Sequence, residues 1–333
     1  MFIPRFWSEA SHLEKLPERR QITIRRFGWS STSEEDARVH ARQRVEEALA
    51  ALRAGGPEGL RDFTRQEHRV AYGGVEGLPI REEIVEELSA IDVVLTRNSY
   101  GALCLNTPKA MFVDVDQRLP RSAGWGVVMF LLGAAAGAWL LKGIVGPVML
   151  RLLIGGFVFA MFVSLVARLF RALAPRRAVL VETVDLVREW CSERPDWLVA
   201  VYETPAGARL LALHAEFDAT SDTTREFMTH VRVDPLYRRM CELQKCFRAR
   251  VSPKPWRAGV PEHFRAGGVW PVTDPTRLAR RRAWVARYDA IHDRFASCRF
   301  VEEVGRGARH RRVEEVRRLH DRLCLATTTL PLA

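Results

Sequence analysis

Two long apolar runs in the middle of the chain constrain its fold more than any other feature. The first, residues 125–141, has no charged residue, and the second, residues 152–169, contains only Arg168. Each is close to the ~20 residues that a membrane-spanning helix needs. A link containing glycine and proline joins them, as is typical of a tight turn. The runs therefore predict a transmembrane helical hairpin over residues 125–169, and the alternative is a helical hairpin buried in a soluble core.

The charges that flank the two runs predict their orientation. Six arginines lie before the first run or at and beyond the end of the second, at positions 118, 121, 168, 171, 176 and 177, whereas the link contains only Lys142 and Arg151. Cytoplasmic flanks are enriched in such residues. We therefore expect a protein of the cell inner (cytoplasmic) membrane with both termini in the cytoplasm and the lipid bilayer as a partner. Gly133 and Gly137 have the spacing of a helix-contact motif, which predicts close packing within the hairpin or a homo-oligomer.

The composition indicates anionic partners only weakly. The formal net charge is +11 and the isoelectric point is near 9.9, as in proteins that bind nucleic acid or acidic lipids. However, basic and acidic residues are interleaved along the chain, which favours solvated helix faces over a nucleic-acid surface. The six cysteines include no Cys-x-x-Cys pair and no recognised zinc spacing, so we expect reduced packing residues.

Strand and helix patterns occur on both sides of the apolar runs. Residues 21–26, 92–97, 101–106 and 110–115 are strand-like before the runs, and residues 197–202, 208–217 and 247–251 are strand-like after them. Turns between neighbouring strands are expected at residues 98–101, beginning with Asn98, and at residues 204–207, beginning with Thr204. Neither half has enough strands for a sheet of its own. The expected fold class is therefore α+β, with one cytosolic domain of mixed or antiparallel sheet, built from residues 1–120 and 170–333, that the transmembrane hairpin interrupts.

Helices are expected at several positions in these flanking regions. Ser33 is a plausible N-cap for a helix that ends near Ala54, and LPIREEIVEEL at residues 78–88 is interpreted as a short helix. Further helices are expected near residues 179–194, from Ser221 onward, and near residues 236–246, 277–296 and 313–325. Residues 252–275 are rich in Pro, Gly and Trp, which predicts a long functional or disordered connection.

Asp114 and Asp116 are the main candidates for metal ligands. They lie two residues apart at the end of an apolar strand, so both carboxylates face one side. Such a pair can bind a hard divalent cation, Mg²⁺ or Mn²⁺, as in phosphoryl-transfer sites. The alternative is structural, because Asp-x-Asp is common at strand ends and Asp116 could start a turn.

Basic residues after the apolar runs are candidates for phosphate binding. These are Arg209, Arg248, Arg250, Lys254 and Arg257. Guanidinium groups beside a carboxylate pair suit a metal-bound phosphate. Ordinary surface charge is the equally weighted alternative.

Two other groups of residues contain side chains that could form a site. His214, Glu216 and Asp218 alternate along a strand and could form a ligand set, although a strand that emerges into solvent explains them equally well. His320 and Asp321 are adjacent on the last helix, where neighbouring side chains point apart, so a catalytic dyad is not expected.

Much of the chain outside the hairpin resembles an uncharacterised family of bacterial membrane proteins. The segments that carry this resemblance are RFGWS from Arg26, GLPIREE from Gly77, TRNSYGALCLNTPKAMFVDVD from Thr96, CFRARVSPKPWR from Cys246 and CRFVEEVG from Cys298. The resemblance implies no assigned activity.

A more distant resemblance is to the catalytic palm of archaeo-eukaryotic primase-polymerases. FVDVD is similar to the palm strand that ends in Asp-x-Asp, and ETPAGARLL from Glu203 is similar to its Thr-x-x-Gly turn. In the palm that turn leads to a nucleotide-binding histidine, whose place Arg209 takes here. A third acidic motif is not identifiable, and Asp218 is its one candidate. The resemblance implies nucleotide binding at a metal site, while its departures argue against polymerisation.

The sequence thus supports two hypotheses. The first is a membrane-anchored protein that binds a nucleotide, nucleic acid or other phosphate ligand through a divalent metal at Asp114 and Asp116. The second is a non-enzymatic membrane interaction or scaffold protein, in which residues 252–275 and the basic helices dock a partner. The sequence does not decide whether the protein is an enzyme.

Overall fold

A computed structural model describes most of the chain. The described residues are 1–15, 21–62, 64, 66–67, 77–116, 133–136, 139, 147–173, 176–261 and 270–333. The chain divides into two compact units, of which the first comprises Met1–Asp116 with Leu180–Ala333 and the second comprises Gln117–Val179. The fold class is α+β, with three antiparallel sheets in the described residues.

Ten strands and seven α-helices occur in the described residues. The strands are β1 (Phe6–Lys15), β2 (Gln21–Ser30), β3 (Glu83–Leu88), β4 (Val93–Arg97), β5 (Leu103–Thr107), β6 (Phe112–Asp116), β7 (Leu198–Thr204), β8 (Gly207–Ala212), β9 (Phe247–Arg250) and β10 (Arg299–Gly305). The helices are α1 (Glu34–Asp62), α2 (Val148–Leu173), α3 (Arg176–Ser192), α4 (Asp222–His230), α5 (Pro235–Gln244), α6 (Pro275–His292) and α7 (Arg311–Cys324). Two sheets have four strands each, in the orders β10-β7-β8-β6 and β3-β4-β5-β9, and β1 and β2 form the third.

Local sequence signals explain several of these elements. Ser33 caps α1, because its hydroxyl accepts a hydrogen bond from the backbone N–H of Asp36 at 3.0 Å. Asn98 turns the chain from β4 to β5, with its side-chain oxygen accepting from the N–H groups of Tyr100 and Ala102. Thr204 closes the tight turn between β7 and β8 by accepting from the N–H of Gly207 at 3.0 Å. These predicted boundaries are confirmed.

Other sequence expectations about local structure are wrong. Residues 83–88, expected within a helix, form β3, because they pair with β4 along one edge of a sheet. Helix α1 continues to Asp62, beyond Ala54, where the sequence predicted its end. Strands β1 and β10 were not predicted, since both are rich in charged residues and obtain their order from pairing with β2 and β7.

The predicted transmembrane hairpin is contradicted. Within the described part of the chain, we find no helix with the length and apolar character needed to cross a bilayer. This finding also contradicts the predicted location in the cell inner membrane with cytoplasmic termini. Most of the first apolar run lies outside the described residues, although residues 133–136 are helical.

In the second apolar run, which lies in α2, the positions of two arginines leave an uncharged stretch that is too short to cross a bilayer. Its uncharged stretch between Arg151 and Arg168 comprises residues 152 to 167, or 16 residues. At about 1.5 Å per residue it extends over ~24 Å, which is less than the ~30 Å hydrocarbon core of a bilayer.

Gly133 packs against α2 within the second unit. A Cβ atom at Gly133 would collide with the side chain of Phe159. Gly133 of the predicted Gly133/Gly137 motif thus makes a close contact within the chain. Gly137 lies outside the described residues. The homo-oligomer remains a prediction.

In the first unit, α1 lies directly on the β1–β2 hairpin. Ile22, Ile24, Val45, Leu49 and Leu52 form a buried cluster between them. The closest approach is at Gly28, where a Cβ atom would overlap with the backbone of Ala37 and Ala41.

Because of this close approach, adding one methyl group at Gly28 should strongly destabilise the fold. Gly28→Ala should lower the free energy of unfolding by more than ~2 kcal/mol, because backbone atoms of α1 cannot move aside as a side chain could. Ser11→Ala, at an exposed position on the same hairpin, should change it by less than ~0.5 kcal/mol. Urea unfolding of both variants measures the difference, and equal midpoints would contradict the assigned packing.

Candidate functional site

Asp114 and Arg209 form an ion pair between two neighbouring strands, in which the guanidinium group is buried and the carboxylate is 29% exposed. The register of β6 and β8 places them directly opposite each other. Arg209 Nε donates to Asp114 Oδ1 at 2.6 Å, and Nη2 donates to Oδ2 at 3.1 Å. Because both carboxylate oxygens accept from one guanidinium group, Asp114 is already neutralised within the protein.

The remaining nitrogen of Arg209 connects the sheet to two other parts of the fold. Nη1 donates to the backbone oxygen of Arg250 at 2.8 Å and lies 3.3 Å from His320 Nε2. Arg209 is only 1% exposed. Burial by itself lowers the pKa of Arg209, but Asp114 raises it well above the usual value. Arg209 is therefore a structural cation and does not reach a ligand from solvent.

Arg248, another predicted phosphate ligand, is also engaged by the protein. Its Nη2 donates to both oxygens of Glu82, at 2.7 and 2.6 Å, and its Nη1 donates to Asn106 Oδ1 at 3.0 Å. Glu82 also accepts from the hydroxyl of Thr96. This polar network lies on the β4-β5-β9 face and binds Arg248 firmly in place.

Four of the predicted site residues do lie close together. Arg250, Lys254 and Arg257, which we call the cationic cluster, are near Asp116. The pKa of Lys254 is lowered to about 8, first by desolvation and then by the charges of Arg250 and Arg257, while Asp116 and Asp114 oppose the shift. Such mutual effects require that the charged groups be close.

Asp116 is the acidic member of this neighbourhood. It is exposed at the end of β6. Desolvation by the surrounding protein is the first cause of its raised pKa, and repulsion from Asp114 is the second; Lys254 and Arg250 act in the opposite direction. The structure thus brings Asp116 together with cations, but it does not present Asp114 and Asp116 as a free pair for one metal ion.

The segment that contains the cationic cluster is anchored at Ser252 and Pro253 by hydrogen bonds and at Val260 by packing against Trp284 and Tyr288. Ser252 accepts a hydrogen bond from the N–H of Leu103 at 2.7 Å, and its hydroxyl lies 2.7 Å from that of Tyr288. Tyr288 also donates to the backbone oxygen of Pro253 at 2.6 Å. Residues 252–261 are therefore an ordered part of the sheet edge, whereas residues 262–269 of the predicted connection lie outside the described residues.

An exposed aromatic ring stands beside the cations. The 3₁₀ turn Pro255–Arg257 leaves Trp256 50% exposed. Its ring lies edge-on to Tyr100 at 5.3 Å between centroids and 5.7 Å from Lys254 Nζ. Tyr100 in turn interacts with Arg250, whose Nε is buried and has no hydrogen-bond partner among the described residues. Sequence reasoning included Lys254 and Arg257 but did not identify Trp256 or Tyr100 as part of the site.

The His214, Glu216 and Asp218 set does not form a metal site. His214 Nδ1 accepts from the backbone N–H of Leu198 at 3.3 Å, and Asp218 accepts from Thr220 in a local turn. Glu216 lies 3.8 Å from Arg312. Each residue thus has a separate structural role.

A different group of potential ligands was missed. In the described residues, Cys298, His320 and Cys324 are the three Cys, His or carboxylate residues that lie close enough to share an ion. The expectation that His320 and Asp321 point apart is wrong, because His320 Nδ1 lies 2.9 Å from Asp321 Oδ1. The four-residue spacing of His320 and Cys324 on one helix was a usable signal, whereas the position of Cys298 depends on the fold.

Comparison with models of known protein families, with curated proteins and with solved structures finds no match to this chain. The resemblances noted in the sequence therefore remain hypotheses, and functional inference depends on the site itself.

The ion pair predicts that the two aspartates differ sharply in their effect on stability. Asp114→Ala should lower the free energy of unfolding by about 3–5 kcal/mol, because it leaves the buried Arg209 without a counter-charge. Asp116→Ala should change it by less than ~1 kcal/mol, since this side chain is exposed.

Urea unfolding followed by circular dichroism provides the measurement. Asp36→Ala, at an exposed acidic position in the first turn of α1, is a control for loss of a surface carboxylate. If Asp114→Ala were as stable as Asp116→Ala, the ion pair would not have the structural role assigned to it.

Proposed function

We propose that the protein binds a phosphate-bearing ligand, with a nucleotide favoured, at the cationic cluster of Arg250, Lys254 and Arg257. The observation that carries this proposal is the exposed ring of Trp256, which lies 5.7 Å from Lys254 Nζ, while Arg250 and Arg257 lie close enough to Lys254 to contribute to lowering its pKa. Holding three cations close together is unfavourable in the absence of an anion, so this arrangement suits a ligand that supplies negative charge.

The balance of charge supports an anionic ligand. Asp114 and Arg209 neutralise each other. Asp116 is then the predicted acidic residue that lies near the cationic cluster, and desolvation, followed by repulsion from Asp114, raises its pKa. The cluster thus places three cationic side chains beside one carboxylate, an arrangement to which phosphate oxygens are complementary.

The aromatic residues favour a nucleotide over inorganic phosphate. Trp256 is exposed, its ring is supported by Tyr100, and Lys254 lies beside it. An exposed indole next to cations can stack on a base while the cations contact phosphates. The resemblance to the primase-polymerase palm agrees with nucleotide binding, but we do not extend it to polymerisation, since Arg209 occupies the histidine position and is buried.

The proposal assigns a divalent cation one protein ligand, Asp116, whereas the sequence predicted two, Asp114 and Asp116. A Mg²⁺ or Mn²⁺ ion would come with the phosphates and contact Asp116, because both oxygens of Asp114 are occupied by Arg209. Titrations with and without Mg²⁺ separate the two contributions.

Removal of the lysine charge should weaken nucleotide binding. For Lys254→Met we expect the dissociation constant for ATP, measured by isothermal titration calorimetry, to increase about tenfold or more, since a charge-assisted contact contributes roughly 1.5–3 kcal/mol. Lys15→Met, at an exposed position on β1, should bind like the unmodified protein. Equal affinity of all three proteins would refute the assignment of Lys254.

Binding should also depend on pH through Lys254. Its pKa is about 8 in the free protein, and a bound phosphate should raise it, because an adjacent anion favours the ammonium form. The affinity should therefore fall as pH rises above about 8, and binding near pH 8.5 should take up protons. Calorimetry in two buffers with different ionisation enthalpies measures this uptake, which should vanish in Lys254→Met.

Trp256 separates nucleotide binding from binding of phosphate alone. Trp256→Ala should weaken ATP binding about tenfold, because base stacking contributes roughly 1–3 kcal/mol, and should leave tripolyphosphate binding within about twofold. Trp139→Ala is a control, since Trp139 is 75% exposed and far along the chain. If Trp256→Ala lowered the affinity for ATP and for tripolyphosphate equally, stacking of the base on Trp256 would be refuted.

A further inference from the structure

A second group of reactive side chains lies in the protein interior. Cys298, His320 and Cys324 are fully buried, and their ligand atoms all lie within 4.8 Å of one another. His320 Nε2 is 3.8 Å from Cys298 Sγ. In a tetrahedral zinc site, neighbouring nitrogen and sulfur ligands are ~3.6 Å apart and two sulfurs are ~3.8 Å apart. The three atoms thus need to close by about 1 Å at most to share one ion.

The fold holds these residues in place from two directions. His320 and Cys324 are four residues apart on α7, so both side chains project from the same face. Cys298 directly precedes β10, and the N–H of neighbouring Ser297 donates to the backbone oxygen of Cys324 at 2.9 Å. This bond ties the end of α7 to the start of β10 and brings the cysteines together.

Asp321 orients His320 in the manner of an outer-shell carboxylate. Asp321 Oδ1 lies 2.9 Å from His320 Nδ1. When Nδ1 carries the proton and donates it to this carboxylate, Nε2 presents its lone pair to the two sulfurs. Histidine ligands of metals commonly have such a partner on the second ring nitrogen.

From this geometry we propose that Cys298, His320 and Cys324 bind one Zn²⁺ ion in the protein interior. Thiolate and imidazole ligands select zinc over the hard cations Mg²⁺ and Mn²⁺. Two S–H bonds break, two zinc–sulfur bonds form, and two protons pass to solvent, while neutral His320 donates the lone pair of Nε2. The hydrogen bond from Arg209 Nη1 to Nε2 is given up in the process, and this N–H turns to a thiolate.

The charge of the interior does not change in this exchange. One Zn²⁺ replaces two protons, and the neighbouring Arg209 is already neutralised by Asp114. Because all three ligands have no solvent exposure, the ion enters as the protein folds and should exchange slowly afterwards. This zinc site is structural and independent of the cationic cluster.

The test measures metal content in the full-length protein. After dialysis against EDTA, inductively coupled plasma mass spectrometry should find one zinc per chain. Cys324→Ala and His320→Ala should each lose it, whereas Cys246→Ser, which alters an equally buried cysteine outside the group, should retain it. Native protein without zinc, or with a Cys298–Cys324 disulfide by mass spectrometry, would overturn the proposal.

A second measurement covers the case in which the ligand variants do not fold. Unmodified protein is unfolded, stripped of metal, and refolded with Co²⁺ or with EDTA. We expect the thiolate-to-cobalt absorption band of a tetrahedral site and a higher melting temperature with cobalt. Refolding in EDTA to the same melting temperature, without the cobalt band in the parallel sample, would refute the site.

Discussion

The buried ion pair between Asp114 and Arg209 organises the centre of the larger unit. Taking both charges out of water is costly, and the cost is offset only because the guanidinium group is fully engaged. Its three nitrogens contact the carboxylate on β6, the backbone of β9 and the imidazole on α7. One side chain thus connects the two four-stranded sheets and the last helix.

The same interaction determines which neighbouring groups can serve a ligand. Arg209 pairs with Asp114 and Arg248 pairs with Glu82, whereas Lys254 has Arg250, Arg257 and Asp116 as its charged neighbours. One nitrogen of Arg209, Nη1, contacts both the backbone oxygen of Arg250 and His320 Nε2. The proposed phosphate site and the proposed zinc site therefore both include a residue that Arg209 contacts.

Local sequence patterns were enough to predict the α+β class and several boundaries of its helices and strands. The Ser33 cap, the Asn98 turn and the Thr204 turn depend on residues within a few positions of one another, and all three were predicted correctly. Strand β3 and the transmembrane hairpin were predicted wrongly. The first depends on pairing with β4, and the second was inferred from apolar content, although the uncharged stretch in α2 is too short for a bilayer.

By itself, the sequence determined two sets of candidate residues and their chemical types, an Asp-x-Asp strand end and a series of basic residues, whereas it indicated only packing roles for the cysteines. Only the tertiary structure decided how they combine. Asp114 and Arg209 are 95 positions apart, and Cys298 and His320 are 22 positions apart. The physical reason is that a charge acts through its neighbours in space, so the strand register that pairs Asp114 with Arg209 converts a predicted metal ligand into half of a buried ion pair.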